Sequence, residues 1–332
     1  MIREVRRSLE AAAKRNQNLK KAFYRARGLY HGVRMRIFES RAEPAAISDA
    51  RRLGVNPENV LWIFSTARSG TTWLRGMLAD LLAGSEVWEE PKVSQLFGNF
   101  YERAQQGQLG STDFVMGDPT RAAWTRALRN FVLEAARASH PSMTPGRHLV
   151  VKEPGGAVGA PLLMQALPES RMILLVRDPR DVVASVLDAQ KEGSWMYEAA
   201  DESWRGRAIS ADKNVNAHVR ILSNRYVRQM GNGRRAFDAH GGPKALVKYE
   251  DLRADAAGTL RRACSELGLP VDEGRIARVV AKHDWDILPE AEKGAGRFHR
   301  KATPGGWKVD LTQKQAEMIG EISAPILREF YP

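Results

Sequence analysis

The sequence contains a single cysteine, Cys264, among 332 residues. One thiol cannot form an intramolecular disulfide, and a zinc site built from several cysteines is excluded. Cys264 lies in a segment of helical composition, where we expect a small buried apolar side chain rather than a reactive thiol. No apolar run approaches the 18 residues of a transmembrane helix, and the first residues lack the apolar core of a secretion signal. These absences predict a reducing, cytoplasmic setting.

Acidic residues are outnumbered: 39 Asp and Glu face 51 Lys and Arg, which gives a formal net charge of +12. Much of the excess lies in residues 1–44, which hold twelve Lys or Arg against four Glu. We interpret residues 1–44 as a basic, helical N-terminal arm and residues 45–332 as the main domain. The arm is either a solvated or partly docked helix, or a segment that binds a polyanion or the surface of a membrane.

Short apolar segments alternate with helical segments through the main domain. Continuous apolar runs are typical of strands buried inside a parallel sheet. The predicted strands are residues 60–64, 148–151, 172–176 and 245–249. The predicted helices are residues 71–82, a helix from about 179, 254–267, 121–139, 214–239 and 312–330. The alternation predicts a three-layer α/β/α fold around a mainly parallel central sheet.

Residues 65–73, with the sequence STARSGTTW, join the first predicted strand to the first helix. Small residues let the backbone curl around an anion at the N-terminus of the helix, and hydroxyl groups and Arg68 add donors. The loop is therefore P-loop-like and favours phosphate or sulfate, although it could simply cap the helix. It is not a Walker A motif, because no glycine opens it and no lysine follows Gly70.

A second candidate anion site follows the third predicted strand, at residues 176–185. Arg177 lies at the carboxyl end of that strand, where open α/β sheets bind ligands. Pro179 is suited to the first helical turn, and Ser185 follows two turns later. Arg177 and Ser185 can together bind a second phosphate. The alternative is a set of local ion pairs around the start of a helix.

Taken together, these motifs resemble the sulfotransferase family that uses 3′-phosphoadenosine 5′-phosphosulfate (PAPS). Residues 66–73 resemble the 5′-phosphosulfate loop of that family, and residues 177–185 resemble its 3′-phosphate motif. Residues 249–252, Tyr-Glu-Asp-Leu, match the segment that follows the fourth strand. Residues 300–308 resemble the late basic loop, with Ala302 and Gly306 in place of a usual glycine and a common aspartate.

The resemblance implies PAPS as the sulfuryl donor, no catalytic metal, and an enzyme that transfers the sulfuryl group to a hydroxyl or an amine. It also implies a set of residues that hold the donor. Those for the 5′-phosphosulfate are Arg68, Ser69, Gly70, Thr71 and Thr72, those for the 3′-phosphate are Arg177, Ser185, Arg300 and Lys301, and those beside the adenine are Trp73 and Tyr249. Trp285 is a further stacking candidate.

The candidate base is a glutamate soon after the first helix. The loop is similar to that of the tyrosylprotein sulfotransferases, and the second predicted strand leads into Lys152 with no histidine after it. In tyrosylprotein and heparan-type enzymes a glutamate near this point is the base, which selects Glu90 here, with Glu89 second. Arg68 and Lys152 are then expected to stabilise the developing charge, and burial near Trp88 to raise the pKa of Glu90.

Other functions stay open at this point. A nucleotide-dependent, kinase-like phosphotransferase with the same loop would need a metal and an acidic ligand for it. The charge alone would suit a nucleic-acid-binding protein, but no such signature is present, and we expect no nucleic-acid partner. The acceptor is a sugar, a phenol, or a lipid-linked or peptidic hydroxyl, which segments 92–125 and 190–215 are expected to contact. Peripheral membrane contact through the arm is a further expectation.

Overall fold

The computed structural model describes residues 55–104, 109–144, 146–198 and 214–331. The predicted basic arm, residues 1–44, lies outside the described residues, so its helix and its boundary with the main domain stay predictions. Within the described ranges, no helix is both long enough and apolar enough to cross a membrane.

Five parallel strands form a single sheet in the order β2-β3-β1-β4-β5. The strands are β1 Val60–Ser65, β2 Glu86–Glu89, β3 Leu149–Pro154, β4 Arg171–Val176 and β5 Lys244–Lys248. Four of them confirm the prediction. The second strand was not predicted, since two of its four residues are glutamates and it lies at an edge of the sheet. His148 precedes β3, and Tyr249 begins a helix instead of ending β5.

Helices cover both faces of the sheet, which confirms the predicted three-layer fold. They are α1 Thr71–Leu81, α2 Val93–Ala104, α3 Arg121–Ser139, α4 Ala160–Ala166, α5 Pro179–Ala189, α6 Trp195–Glu198, α7 Val215–Ala239, α8 Tyr249–Ala254, α9 Ala256–Glu266, α10 Glu273–Lys282, α11 Trp307–Asp310, α12 Gln313–Ile322 and α13 Ala324–Phe330. The helix predicted at 254–267 is interrupted at Asp255, whose side chain accepts a bond from the N–H of Gly258 and so starts α9. The helix predicted at 312–330 breaks at Ser323, and Pro325 stands in the first turn of α13.

The residues of β1, β3 and β4 are buried almost throughout, and their side chains alternate between two apolar layers. Trp62 and Phe64 of β1 pack with α3, α4, α7 and α13 on one face. Leu61 and Ile63 pack with α1, α9 and α10 on the other. Cys264 of α9 is fully buried in this second layer, and burial raises the pKa of its thiol to about 11. The structural role expected for Cys264 is confirmed.

The register of the sheet brings the predicted motifs to one edge. Strand β1 lies between β3 and β4, with Phe64 opposite both Glu153 and Leu174. Because all strands are parallel, the segments that follow β1, β3 and β4 leave the sheet at the same end. Those segments carry the loop at residues 65–73, the end of β3 at Lys152 and the motif that begins at Arg177.

Candidate active site

A cavity of about 510 Å³ opens at the carboxyl edge of the sheet. It is lined by twelve of the thirteen residues for which the sequence predicts a site role. They are Arg68, Gly70, Thr71, Thr72, Trp73, Glu90, Lys152, Arg177, Ser185, Tyr249, Arg300 and Lys301. Trp285, the further stacking candidate, lines the same cavity. Segments separated by more than 200 residues in the chain thus meet in one place.

The loop at residues 65–73 turns sharply before α1. Arg68 and Gly70 both adopt positive φ, at 67° and 91°, and Gly70 is the N-cap of α1. A Cβ atom on Gly70 would lie 2.6 Å from Cδ2 of Tyr249, so the aromatic ring packs directly on the loop backbone. Glycine is required here both for its φ and for the close approach of the ring. The turn leaves the N-terminus of α1, a favourable place for an anion, at the cavity.

Ser69 is the predicted site residue that does not line the cavity. Its hydroxyl is buried and lies 2.8 Å from the hydroxyl of Thr66, so the two side chains bond to each other inside the loop. Its predicted contact with the 5′-phosphosulfate stays a prediction. Its role in the structure is to hold the shape of the turn.

Three arginines crowd around one end of the cavity. Nε of Arg68 donates to Oγ of Ser185 at 3.2 Å, and Nη1 of Arg177 donates to the carbonyl oxygen of Arg68 at 2.9 Å. Burial, together with the positive charges of Arg177 and Arg300, lowers the pKa of Arg68 to about 10. Nε of Arg177 is buried and has no hydrogen-bond partner among the described residues. Such a cluster is suited to bind an anion that carries more than one charge.

Aromatic rings surround the arginines. The guanidinium of Arg68 lies 5.5 Å from the ring centre of Trp195 and 5.1 Å from that of Phe298. The guanidinium of Arg177 lies 4.1 Å from the ring centre of Tyr249. Cation–π contacts of this kind keep a weakly hydrated cation at a defined position. Trp73 is positioned separately, because its Nε1–H donates to the carbonyl oxygen of His283 at 2.8 Å.

The late basic loop lies against the helix that follows Arg177. Asp181 of α5 is fully buried and accepts bonds from the backbone N–H groups of Gly305, at 2.7 Å, and Trp307, at 2.9 Å. Ala302 adopts a φ of 51°. Glycine adopts positive φ readily, which explains why the similar family motif usually has a glycine at this position. The buried carboxylate of Asp181 therefore fastens the loop that carries Arg300 to the motif at Arg177.

Arg300 and Lys301 both contact Asp310, a residue to which the sequence assigns no role. Nη1 of Arg300 lies 2.8 Å from one carboxylate oxygen of Asp310, and Nζ of Lys301 lies 2.6 Å from the other. These two bonds lower the pKa of Asp310, against the opposing effect of its burial. Arg300 and Lys301, which are predicted to close over a phosphate, thus share the carboxylate of Asp310.

Lys152 contacts both glutamates that follow the first helix, Glu89 and Glu90. Nζ of the buried Lys152 lies 3.1 Å from Oε1 of Glu90 and 3.1 Å from Oγ1 of Thr72, and it also contacts the carboxylate of Glu89. Glu89 is bound by a second cation, Nε of Arg75, at 3.3 Å, and does not line the cavity. Glu90 has Lys152 as its cationic partner and faces the cavity.

The burial expected for Glu90 against Trp88 is wrong. Trp88 packs toward the core and against the ring of His140, with ring centres 6.0 Å apart. Successive residues of β2 point to opposite faces, so Trp88 turns away from the cavity. The side chain of Glu90 is 44% exposed.

Two cavity-lining arginines were not singled out by the sequence reasoning. Arg75 follows Thr71 by four residues on α1, and Arg253 follows Tyr249 by four residues on α8. Residues four apart share one face of a helix, so helical spacing from the recognised positions could have found both. His283 also lines the cavity, and its Nε2 lies 2.6 Å from Oδ2 of Asp80, but no local pattern marks it.

A family model with the description "Sulfotransferase family" matches residues 61–273 of this chain. The matched span contains the loop after β1, the motif at Arg177, and Tyr249. The chain belongs to the sulfotransferase family. Arg300 and Lys301 lie beyond the matched span, so the contacts described above are what place them in the site.

Curated sulfotransferases cover part of the chain. Sulfotransferase 2B1 of Mus musculus is 23% identical over 168 residues, which are 46% of this chain and 47% of that protein. Sulfotransferase 2A1 of Rattus norvegicus is 26% identical over 100 residues, which are 26% of this chain and 35% of that protein. The chain therefore spans about half, or less, of the length of the curated relatives it matches.

Solved sulfotransferase structures align over more of the chain. The crystal structure of mouse sulfotransferase SULT7A1 complexed with PAP aligns with 82% of this chain and 85% of that chain, with a TM-score of 0.49 and 13% identity. Sulfotransferase STF9 from Mycobacterium avium aligns with 83% and 78%, with a TM-score of 0.46 and 16% identity. Alignments at this level decide nothing about the ligands of this chain.

Proposed function

We propose that this sulfotransferase-family protein binds PAPS and transfers its sulfuryl group to an acceptor hydroxyl, or to an amine, by in-line displacement. One observation carries the proposal. The loop after β1 and the motif after β4 are neighbours in one cavity, and the hydrogen bond between Arg68 and Ser185 joins them. A donor with anionic groups at both its 5′ and 3′ ends suits two adjacent anion sites.

The residues of the free protein fit such a donor. Gly70 and the N-terminus of α1 would hold the 5′-phosphosulfate, together with Thr71 and Thr72. Arg177 would hold the 3′-phosphate, since its Nε has no partner among the described residues and its guanidinium is fixed on Tyr249. Arg300, Lys301 and Ser185 complete that end of the site.

Trp73 and Tyr249 would bind the adenine. Their ring centres lie 6.3 Å apart with the planes at 71°, and both line the cavity, as do Arg253 and Trp285. Arg253 covers the ring of Trp73 at 5.4 Å. Aromatic rings of this kind offer apolar faces for a purine, and Arg253 adds a cation beside it.

The chemical step depends on positive side chains that the fold already holds in position before the reaction begins. Arg68 and Lys152 stabilise negative charge on the oxygens of the group in transfer, in the way that metal ions and basic side chains do in phosphoryl transfer. Glu90 accepts the proton of the acceptor as its oxygen or nitrogen attacks sulfur. Lys152 contacts both Glu90 and Thr72, so it links the proposed base to the loop after β1.

Glu90 is a better candidate for the base than Glu89. Glu89 is held between Lys152 and Arg75, whereas Glu90 faces the cavity with Lys152 as its cationic partner. Because Glu90 is exposed in the free protein, the docked acceptor would have to supply the burial that makes it an effective base. We expect Glu90→Gln to abolish turnover and Glu89→Gln to retain most of it.

The kinase-like alternative finds no support. Among the residues that the structure describes, no group of three or more His, Cys, Asp or Glu is arranged to hold a metal ion. The comparisons likewise point to sulfotransferases. The acceptor, whether a sugar, a phenol, or a lipid-linked or peptidic hydroxyl, stays open, as does a role for the N-terminal arm at a membrane.

Calorimetric titration with 3′-phosphoadenosine 5′-phosphate (PAP) tests the proposal, with ATP in the absence of metal as the comparison. We expect PAP to bind and ATP to bind far more weakly. Arg177→Ala should weaken PAP binding by about 10- to 100-fold, which is the effect of losing a charged hydrogen-bond donor. Arg137→Ala serves as the control, because Arg137 is exposed on α3 and paired with Glu134. Equal binding of PAP and ATP, or binding of neither, would refute the proposal.

A further inference from the structure

We propose that Glu153 is a positioning residue that anchors the turn carrying the base Glu90. This inference rests on the proposed function. The carboxylate of Glu153 lies behind the site and does not line the cavity. Its effect on transfer would act through the backbone of residues 90–94.

The first argument is the arrangement of β3. Lys152 and Glu153 are consecutive residues, so their side chains point to opposite faces of the sheet. Lys152 points to the cavity and contacts the carboxylate of Glu90. Glu153 is 2% exposed and points to the start of α2. One strand thus reaches the same turn from two sides.

The second argument is the set of bonds that Glu153 accepts. The backbone N–H groups of Lys92, Val93 and Ser94 donate to its carboxylate, with Ser94 N at 3.5 Å from Oε1. These are N–H groups of the first turn of α2, which have no partner within the helix. A buried carboxylate at this point accepts hydrogen bonds from them. Its negative charge also interacts favourably with the positive end of the helix dipole.

The third argument is strain in the turn. Glu90 and Lys92 both adopt positive φ, at 47° and 59°, which non-glycine residues adopt only when their surroundings impose it. On one side the N–H of Glu90 donates to the carbonyl oxygen of Lys152 at 2.9 Å. On the other side Glu153 holds the backbone just after Lys92. Without the second anchor we expect the turn to relax and Glu90 to move.

The space around Glu153 leaves its carboxylate little freedom. A Cβ atom on Gly156 would lie 2.2 Å from Oε2 of Glu153, so only glycine fits beside it. The hydroxyl of Ser94 donates to the carbonyl oxygen of the same glycine. The carboxylate is therefore enclosed between the start of α2 and the segment after β3.

The anchor should respond to pH. Burial, and to a smaller extent the negative charge of Glu90, raise the pKa of Glu153 to about 7, against the opposing effect of the backbone N–H groups. Lys152 on β3 and Lys92 in the turn are the neighbouring cations in the chain. Residues 156–159 and the first two turns of α2 contribute no titratable side chain. A Glu153 released into solvent would have the lower pKa of an ordinary glutamate, so deprotonation favours release of the turn, and turnover that depends on the anchor should fall as pH rises through about 7.

The test compares wild type, Glu153→Gln, Glu153→Asp and the control Glu169→Gln in the full chain. Glu169 is another partly buried glutamate, paired with Arg129 near the amino end of β4. Hydrogen exchange of peptides that cover residues 90–97 measures the anchor directly. Release of PAP from PAPS, with water as the acceptor, measures turnover.

We expect Glu153→Gln to speed exchange at residues 92–94 and to leave the loop at 65–73 unchanged. It should lower kcat by about 10- to 100-fold, as displacement of a catalytic group by about 1 Å does, with KM for PAPS unchanged. The fall of turnover as pH rises through about 7 should disappear. Glu153→Asp should recover part of kcat, and Glu169→Gln should behave as wild type.

Unchanged exchange at residues 92–94 in Glu153→Gln would overturn the inference, and so would an unchanged kcat. A rise in KM for PAPS at constant kcat would also overturn it, since that pattern indicates a binding role. The proposed function fails by a different result, which is the absence of PAP binding in the wild type. Hydrogen exchange at residues 92–94 still tests whether Glu153 holds the turn if the wild type does not bind PAP. The two proposals can therefore fail separately.

Discussion

Replacement of Gly70 by alanine tests how the loop after β1 is built. Gly70 has a φ of 91°, and a Cβ there would lie 2.6 and 2.7 Å from Cδ2 and Cε2 of Tyr249. Both distances are about 1 Å shorter than an ordinary contact between carbon atoms. The alanine therefore adds two separate costs, one in the backbone and one against the ring.

The free energy of unfolding should fall by the sum of these costs. A left-handed conformation costs an L-residue roughly 1–2 kcal/mol. An overpacked methyl group costs about 1–3 kcal/mol, because the ring of Tyr249 has to move. We therefore expect Gly70→Ala to lower stability by about 2–5 kcal/mol, which is a large part of what a typical domain possesses.

Urea denaturation followed by tryptophan fluorescence measures this change, and a double-mutant cycle separates its parts. In a Tyr249→Ala background the clash is gone, so the added effect of Gly70→Ala should shrink to the backbone cost of about 1–2 kcal/mol. Gly231 of α7 is the matched control, since a Cβ there meets nothing within 4 Å. Gly231→Ala should stabilise the protein by about 0.5–1 kcal/mol.

Two results would refute this reasoning. If Gly70→Ala were as stable as wild type, the loop could not have the described backbone. If its effect were the same with and without the Tyr249 ring, the ring would not pack on Gly70 in solution.

Three further predictions concern charge. Arg68→Ala should lower the rate of PAP release from PAPS by about 10²- to 10³-fold, the cost of removing one oxyanion donor, and near-normal turnover would refute its assigned role. The raised pKa of Glu153, about 7 against 4.5, means that its contribution to stability is full below pH 4.5 and is lost as pH rises through 7. Urea titrations measure the free energy of unfolding of wild type and Glu153→Gln at several pH values. Between pH 4.5 and 7 the stability of Glu153→Gln relative to wild type should rise by up to about 3 kcal/mol, and a difference that does not change with pH would contradict this. Cys264, with its pKa raised to about 11, should react with a thiol reagent at pH 8 only after unfolding, and rapid reaction of the folded protein would show that it is accessible.

Much of the fold and of the site could be predicted from the sequence, for physical reasons. The four predicted strands are built on apolar runs, and their parallel arrangement brings the polar segments after them to one edge. That is why Arg68 and Arg177, more than 100 residues apart, were expected in one site and lie there. Strand β2 was missed because it is short, lies at an edge and is half acidic.

The counterions and supports of the site could not be predicted in the same way. Asp181 and Glu153 accept bonds from backbone N–H groups of segments distant in the chain, and these contacts leave no local pattern. Asp310 pairs with Arg300, ten residues earlier, across a turn whose shape the sequence does not show. The orientation of Trp88 depended on whether residues 86–89 form a strand or a turn. Once they form a strand, Trp88 and Glu89 must face opposite ways.

The crowding of Arg68, Arg177 and Arg300 has a consequence for how this protein can evolve and be engineered. Burial, and then the charges of Arg177 and Arg300, lower the pKa of Arg68, and Arg300 is paired with Asp310. The arginine cluster is thus a place where the fold gives up stability for function. Selection for heat resistance alone would remove these arginines first, whereas selection in the presence of the nucleotide would retain them.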